Sequence, residues 1–351
     1  MSRFLKAQLQ SLEAYTPGEQ PQDMQYIKLN TNESPFPPAP GVAAALADGE
    51  IRRLRLYPEP DCTPLRQALA QQYGVAAENV LIGNGSDEIL NFCFMAFFAP
   101  EQRLLFPNIT YGFYKVFADL YGLGYTEVPL RPDFSIDPAD YRDKNAHIVL
   151  ANPNAPTGVE LPREEMESIV RSNPDRIVIV DEAYIDFGGR SCAELIHKYQ
   201  NLIVVMTFSK SRSLAGARVG FALADAALIR DLQTVKYSTN PYNINRLSQA
   251  AALAAVRDAA YYRKNCETIV QNRAYLTGQL QALGFTVLPS KANFVFAANE
   301  KTGGAAIYAG LKKKGVLVRH FNRPPIESFV RITIGTKAQL DVLLHKIREL
   351  L

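Results

Sequence analysis

Residues 201–221 read NLIVVMTFSKSRSLAGARVGF. The run Leu202–Met206 is short, unbroken and rich in β-branched side chains, the pattern of a strand buried on both faces. Lys210 follows almost at once, between Ser209 and Ser211, and Arg218 closes a turn of small residues. An unpaired ammonium is costly to bury, so a lysine at the inner end of such a strand needs a chemical reason.

The pattern repeats on either side. VLI at 80, HIVLA at 147, RIVIV at 176 and VGFAL at 219 read as buried strands, and 162–172 and 225–236 carry helical spacing. Strands alternating with helices predict an α/β fold with a mostly parallel sheet between helices. Each run feeds a polar loop: Gly83-Asn84-Gly85-Ser86-Asp87-Glu88, Asn152-Pro153-Asn154, Asp181-Glu182-Ala183-Tyr184 and Thr207-Phe208-Ser209-Lys210. In open parallel sheets ligands bind at the carboxyl ends of the strands, so these loops are expected to meet in one crevice.

After Asn240 the pattern changes to a long helical stretch, 243–283, then FTVLPSKANFVFA, a helix near 303–314, VLVRH, FVRITIG and a last helix from Lys337. This predicts a large domain over 45–245 and a smaller α+β domain made of 1–44 and 246–351. The proline-dense chain from Pro35 to Pro64 reads as extended and poorly regular.

Composition narrows the function classes. The chain has 351 residues, 47% hydrophobic and 21% charged, enough for a large core. A net charge of +3 from 38 basic and 35 acidic residues argues for neither a nucleic-acid nor a membrane partner. Lys312-Lys313-Lys314 reads as a solvated helix face. Cys62, Cys93, Cys192 and Cys266 are widely separated, as are His147, His197, His320 and His345, so no metal site and no disulfide framework is expected. The N-terminus lacks the apolar core of a signal peptide, and the longest apolar run, Phe92–Ala99, is too short to span a membrane. A cytoplasmic location is the expectation.

A lysine near an acid and an arginine suits a carbonyl cofactor, because a desolvated amine with cationic neighbours can lose its proton and form a Schiff base. Pyridoxal phosphate also needs a carboxylate at its ring nitrogen, which Asp181 can supply, and Tyr184 can reach its phenolic oxygen. Its phosphate needs amides at a helix start plus a cation: Gly85, Ser86 and Asp87 precede a helical pattern, and Ser209 and Arg218 add hydroxyl and charge. The third glycine of a dinucleotide fingerprint is absent, since Glu88 stands there, which disfavours a nicotinamide dehydrogenase.

SKSRSLAGARVG, NPNAPTG, DEAY and GNGSDE resemble, in this chain, the class I and II, fold-type-I pyridoxal phosphate aminotransferases. YTPGEQP, KLNTNESPFPP, YPEP and VRITIGT are similar to the branch acting on histidinol phosphate. The resemblance implies a seven-stranded sheet plus a smaller domain, and a homodimer with shared active sites. It implies transamination of L-histidinol phosphate with 2-oxoglutarate in histidine biosynthesis, the amino donor and 2-oxo acid being the small-molecule partners.

Lys210 would bond the cofactor and shuttle the proton, Asp181 would hold the ring nitrogen, Tyr184 the phenolic oxygen, and Tyr111 would stack on the ring. Gly85, Ser86, Asp87, Ser209 and Arg218 would surround the phosphate, with Tyr57 reaching it from the neighbouring subunit. Asn154 is assigned to the phenolic oxygen, although the family usually has two asparagines before Pro-Thr-Gly and the second is Ala155 here. Arg331 would grip the acidic end of the substrate, with Arg319, Tyr15 and Asn32 on the pocket wall. An aromatic aminotransferase or a threonine-phosphate decarboxylase would keep nearly the same cofactor residues; a non-enzymatic binding module would not need them.

Overall fold

The computed structural model describes residues 3–6, 9–46 and 48–351. Seven strands form the large sheet, in spatial order Val80–Gly83, Gly220–Ala224, Leu202–Thr207, Val178–Asp181, His147–Ala151, Leu104–Pro107 and Tyr125–Val128. All neighbours pair in parallel except Gly220–Ala224, which is antiparallel to both strands beside it. The expected α/β architecture is present.

Side-chain alternation puts Val178, Val180, Leu202, Val204 and Met206 into one core, and Ile179, Ile203 and Val205 into another on the opposite face. Burying each such side chain stabilises the fold by roughly 1.5–3 kcal/mol, an upper bound. Helices Arg163–Ser172 and Ala226–Thr239 lie close to the expected spans, the second capped by Asp225, whose side chain accepts from the Ala227 amide.

Two further strands complete the sheet beside the five apolar runs. Tyr125–Val128 is an edge strand with Thr126 and Glu127 exposed, and Leu104–Pro107 is four residues long and ends in proline. Between Pro35 and Pro64 the expected irregular chain is corrected to helices Pro40–Ala45 and Asp48–Arg52 and a helical turn at Arg53–Arg55. Pro40 sits in the first turn, where its missing N–H costs no hydrogen bond. The stretch 243–283 is two helices, Arg246–Arg257 and Ala259–Ala282, broken at Asp258.

The C-terminal unit is a four-stranded antiparallel sheet, in order Arg319–His320, Phe329–Thr333, Phe294–Ala298 and Thr286–Val287. Its core joins Val295, Val330 and Ile332 to Leu340 and Leu344 of the last helix, Lys337–Arg348. The N-terminal arm attaches here: Ile27–Lys28 pairs in parallel with Val316–Leu317, and Leu29 enters the same core. Lys312 and Lys314 differ from the expected solvated face, since they pair with Glu19 of the arm and with Glu349. Ala251, Ala252 and Ala255 of Arg246–Arg257 belong to the large core with Leu65 and Leu69. We propose the two-part division drawn from the sequence, with that helix as the element the small part contributes to the large core.

All four cysteines are free and buried. Among the described residues no cluster could hold a metal ion, and no helix is long and apolar enough to cross a membrane.

Candidate active site

The strand ends open into a cavity of about 770 Å³. Lys210, Asp181, Tyr184, Ser86, Asp87, Tyr111, Ser209 and Arg218 line it, together with Arg331, Arg319, Tyr15 and Asn32. Asp181 and Lys210 follow adjacent parallel strands, in which Asp181 lies opposite Val205, so the two are near neighbours despite their separation in sequence.

Asp181 is 4% exposed. Its carboxylate accepts from the Tyr114 hydroxyl at 2.8 Å and from the Ala183 amide at 3.2 Å. Burial pushes its pKa up to about 6, against the pull of these two donors. A carboxylate so placed is best satisfied by a cation or a strong N–H donor brought in by a ligand. Tyr114 was not singled out from the sequence; it stands three residues after Tyr111, in the first turn of helix Phe113–Tyr121, and that spacing is the signal that could have found it.

Lys210 sits on the link between Leu202–Thr207 and the antiparallel strand Gly220–Ala224. The base of this link is closed by Phe208 N–H donating to the Val219 carbonyl at 2.9 Å, which brings Arg218 back beside Ser209. The ammonium donates to the Thr31 carbonyl at 3.3 Å and lies 5.8 Å from the centre of the Tyr184 ring. Among the described residues it makes no ion pair.

The anion end is built at the start of helix Ser86–Phe97. Gly85 has φ +80, and a Cβ there would stand 2.5 Å from Arg218 Nη2. Arg218 is itself left-handed at φ +53, which turns its side chain back over this helix start. Its guanidinium donates to Ser209 Oγ at 3.4 Å and to Asp87 Oδ2 at 3.3 Å, both long for charged partners. Asp87 is held at its other oxygen by the Tyr111 hydroxyl at 2.7 Å. A weakly engaged guanidinium beside free helix amides fits a phosphate.

The opposite wall carries Arg331, Arg319 and Arg323, and the last was not foreseen. Arg331 donates to the Asn30 carbonyl at 3.0 Å, Arg319 to the carbonyls of Pro17 and Thr16 at 3.1 Å each, and Arg323 to the Asn108 carbonyl at 3.1 Å. None of the three pairs with a carboxylate among the described residues. Arg331 Nε and Asn30 Oδ1 are buried without a hydrogen-bond partner, the mark of a site shaped for a polar ligand. Burial lowers the Arg331 pKa from its usual value and raises that of Tyr15.

One expectation, for Asn154, is corrected, and that for Asn32 is extended. Asn154 is buried and does not line the cavity: its side chain accepts from Thr110 Oγ1 at 2.8 Å and donates to the Ile109 carbonyl and Thr157 Oγ1 at 2.9 and 3.0 Å. It braces its own turn, and Ala155 faces the cavity instead. Asn32 is more than a wall residue, because its amide donates to the Tyr184 hydroxyl at 2.9 Å. Tyr57 lies outside the cavity of its own chain, 78% exposed and stacked on Tyr242 at 4.5 Å.

Residues 24–347 match the family model described as aminotransferase class I and II. The chain belongs to this aminotransferase family. It is 50% identical, over all of both chains, to histidinol-phosphate aminotransferase 1 of Bradyrhizobium diazoefficiens. It is 47% identical to the histidinol-phosphate aminotransferase of Brachyspira hyodysenteriae, over 100% of this chain and 99% of that one. Among solved structures, the histidinol-phosphate aminotransferase of Sinorhizobium meliloti, in complex with pyridoxal-5'-phosphate, superposes with a TM-score of 0.89. That alignment has 26% identity and covers 100% of this chain and 98% of the other. For this aminotransferase the groups that such a cofactor requires are all in the cavity: amine, buried acid, helix amides and guanidinium.

Proposed function

We propose that the chain transfers the amino group of L-histidinol phosphate to 2-oxoglutarate, giving imidazole acetol phosphate and L-glutamate, with pyridoxal phosphate as cofactor. The observation that carries this reading is that Asp181 and Lys210, at the ends of adjacent strands, share a cavity with three arginines that pair with no carboxylate among the described residues. Asp181 would hold the ring nitrogen, Tyr111 the ring face and Tyr184 the phenolic oxygen. Gly85, Ser86, Asp87, Ser209 and Arg218 would frame the phosphate. When bound, the cofactor withdraws electrons from the substrate α-carbon and so makes its hydrogen acidic. Lys210 Nζ would then carry this proton away from the substrate α-carbon and, in the reverse half of the cycle, deliver one to the carbonyl carbon of the incoming 2-oxo acid. Arg331 and Arg319 orient the anionic end of either substrate, since a guanidinium fork suits phosphate and carboxylate alike.

A homodimer belongs to the same reading. The main chain around Tyr57 is anchored by Arg246 donating to the Tyr57 carbonyl and Gln249 donating to the Glu59 carbonyl. The Tyr57 ring is thereby presented outward beside exposed Ile51, Leu54 and Leu56, an apolar patch that a second copy would cover. Four reduced, buried cysteines support a cytoplasmic setting.

The test is turnover of histidinol phosphate with 2-oxoglutarate, run beside phenylalanine, tyrosine and threonine phosphate. Preferred amino transfer from histidinol phosphate is the expected result. Carbon dioxide released from threonine phosphate without amino transfer would refute it.

A further inference from the structure

Granting the cofactor assignment above, the wall that meets the phenolic oxygen poses a problem. Ala155 faces the cavity there and packs with Phe294, Ala292 and Tyr184, so it presents a methyl group. The neighbouring amide, Asn154, is fully engaged elsewhere. Tyr184 is left to supply the hydrogen bond, and a tyrosine hydroxyl donates well only when its proton is directed and its oxygen is polarised.

Asn32 does both. Its own N–H donates to Thr333 Oγ1 at 3.0 Å. That oxygen, already an acceptor, turns its proton to Asn32 Oδ1 at 3.1 Å. This fixes which end of the Asn32 amide is oxygen, so Nδ2 is the end that faces Tyr184 Oη, at 2.9 Å. The tyrosine oxygen must accept, and its own proton is free to point into the cavity. Asn32 is locked in this pose by φ +57, by complete burial and by Asn293 Nδ2 donating to its carbonyl at 2.9 Å. A hydroxyl that accepts one hydrogen bond becomes a stronger donor of the next.

We propose that Asn32 is a positioning residue that acts through Tyr184 to supply the hydrogen bond Ala155 cannot make at the cofactor's phenolic oxygen. Donors at that oxygen draw charge from it and weaken its hold on the proton it shares with the Lys210 nitrogen. The proton therefore leaves at lower pH when the Asn32–Tyr184 pair is intact.

The measurement is a pH titration of the visible absorption band of the cofactor-loaded protein, read without substrate. Asn32→Gly keeps the left-handed backbone, adds no charge, and should raise the midpoint by up to about one pH unit, the size of one neutral hydrogen bond, since the Tyr184 hydroxyl stays in place. Tyr184→Phe should raise it as well, and adding Asn32→Gly to that variant should move it no further. Ala155→Asn restores a donor at the wall, so it should lower the midpoint and offset Asn32→Gly when combined with it. An unmoved midpoint in folded Asn32→Gly, or an equal further shift in the Tyr184→Phe background, overturns the proposal. Should Asn32→Gly fail to fold, an unchanged midpoint in Ala155→Asn overturns it instead. A wild-type protein with no visible band after mixing with pyridoxal phosphate would sink the cofactor assignment, a separate failure.

Discussion

The two walls of the cavity are built in contrasting ways. On the sheet side, Asp181, Asp87 and Arg218 are held by side chains: Tyr114 on Asp181, Tyr111 on Asp87, Ser209 on Arg218. On the side of the arm and the small sheet, Arg331, Arg319 and Arg323 are held by main-chain carbonyls. Carbonyl dipoles aim a guanidinium without cancelling its charge, whereas a carboxylate partner would. On the function proposed above, one wall would hold a resident ligand, and the other would keep its charge for substrates that come and go.

The largest effect should come from the resident wall. Lys210→Ala would remove the proposed proton carrier, and kcat should fall by at least about 10³-fold in steady-state assays, with near-normal activity contradicting the assignment. On the exchanging wall, Arg331→Ala should lower kcat/KM for histidinol phosphate and for glutamate alike by about 10²-fold or more, as expected for loss of a half-buried charged contact. An effect on only one substrate would show that the wall is divided. Arg323→Ala should cost less, about tenfold, and more for the phosphate than for the carboxylate substrate, because this residue is exposed at the rim.

The smallest effect concerns stability. The folded-state pKa of Asp181, about 6, lies above the ordinary value of 3.8. The folded cofactor-free protein therefore holds a proton that the unfolded chain has released, and its stability should decline as pH rises from about 4 to about 6, by up to ~3 kcal/mol from this group. Urea unfolding of the cofactor-free form should show this decline, and Asp181→Asn should flatten it. An identical pH profile in the variant would mean that other groups set it.

The resident wall was far more legible in the sequence than the exchanging one. Strand ends announce themselves, because an apolar run stops at a polar cluster, and Asp181 and Lys210 follow such runs. Edge strands such as Tyr125–Val128 escape because half their side chains meet water. Tyr114 escaped because its apolar helix face looks like core until its hydroxyl is seen on Asp181. The choice between Asn154 and position 155 depended on the turn, where Thr110 and the Ile109 carbonyl, remote in sequence, hold Asn154 away from the cavity. Arg323 and Asn32 act across contacts with Asn108 and Tyr184 that no local spacing encodes.

The link between Leu202–Thr207 and Gly220–Ala224 is pinched shut at its base, so the amine of position 210 and the guanidinium of position 218 ride on a single handle. A change of length in that handle would therefore move both groups together and disturb two stations of the cavity in one stroke.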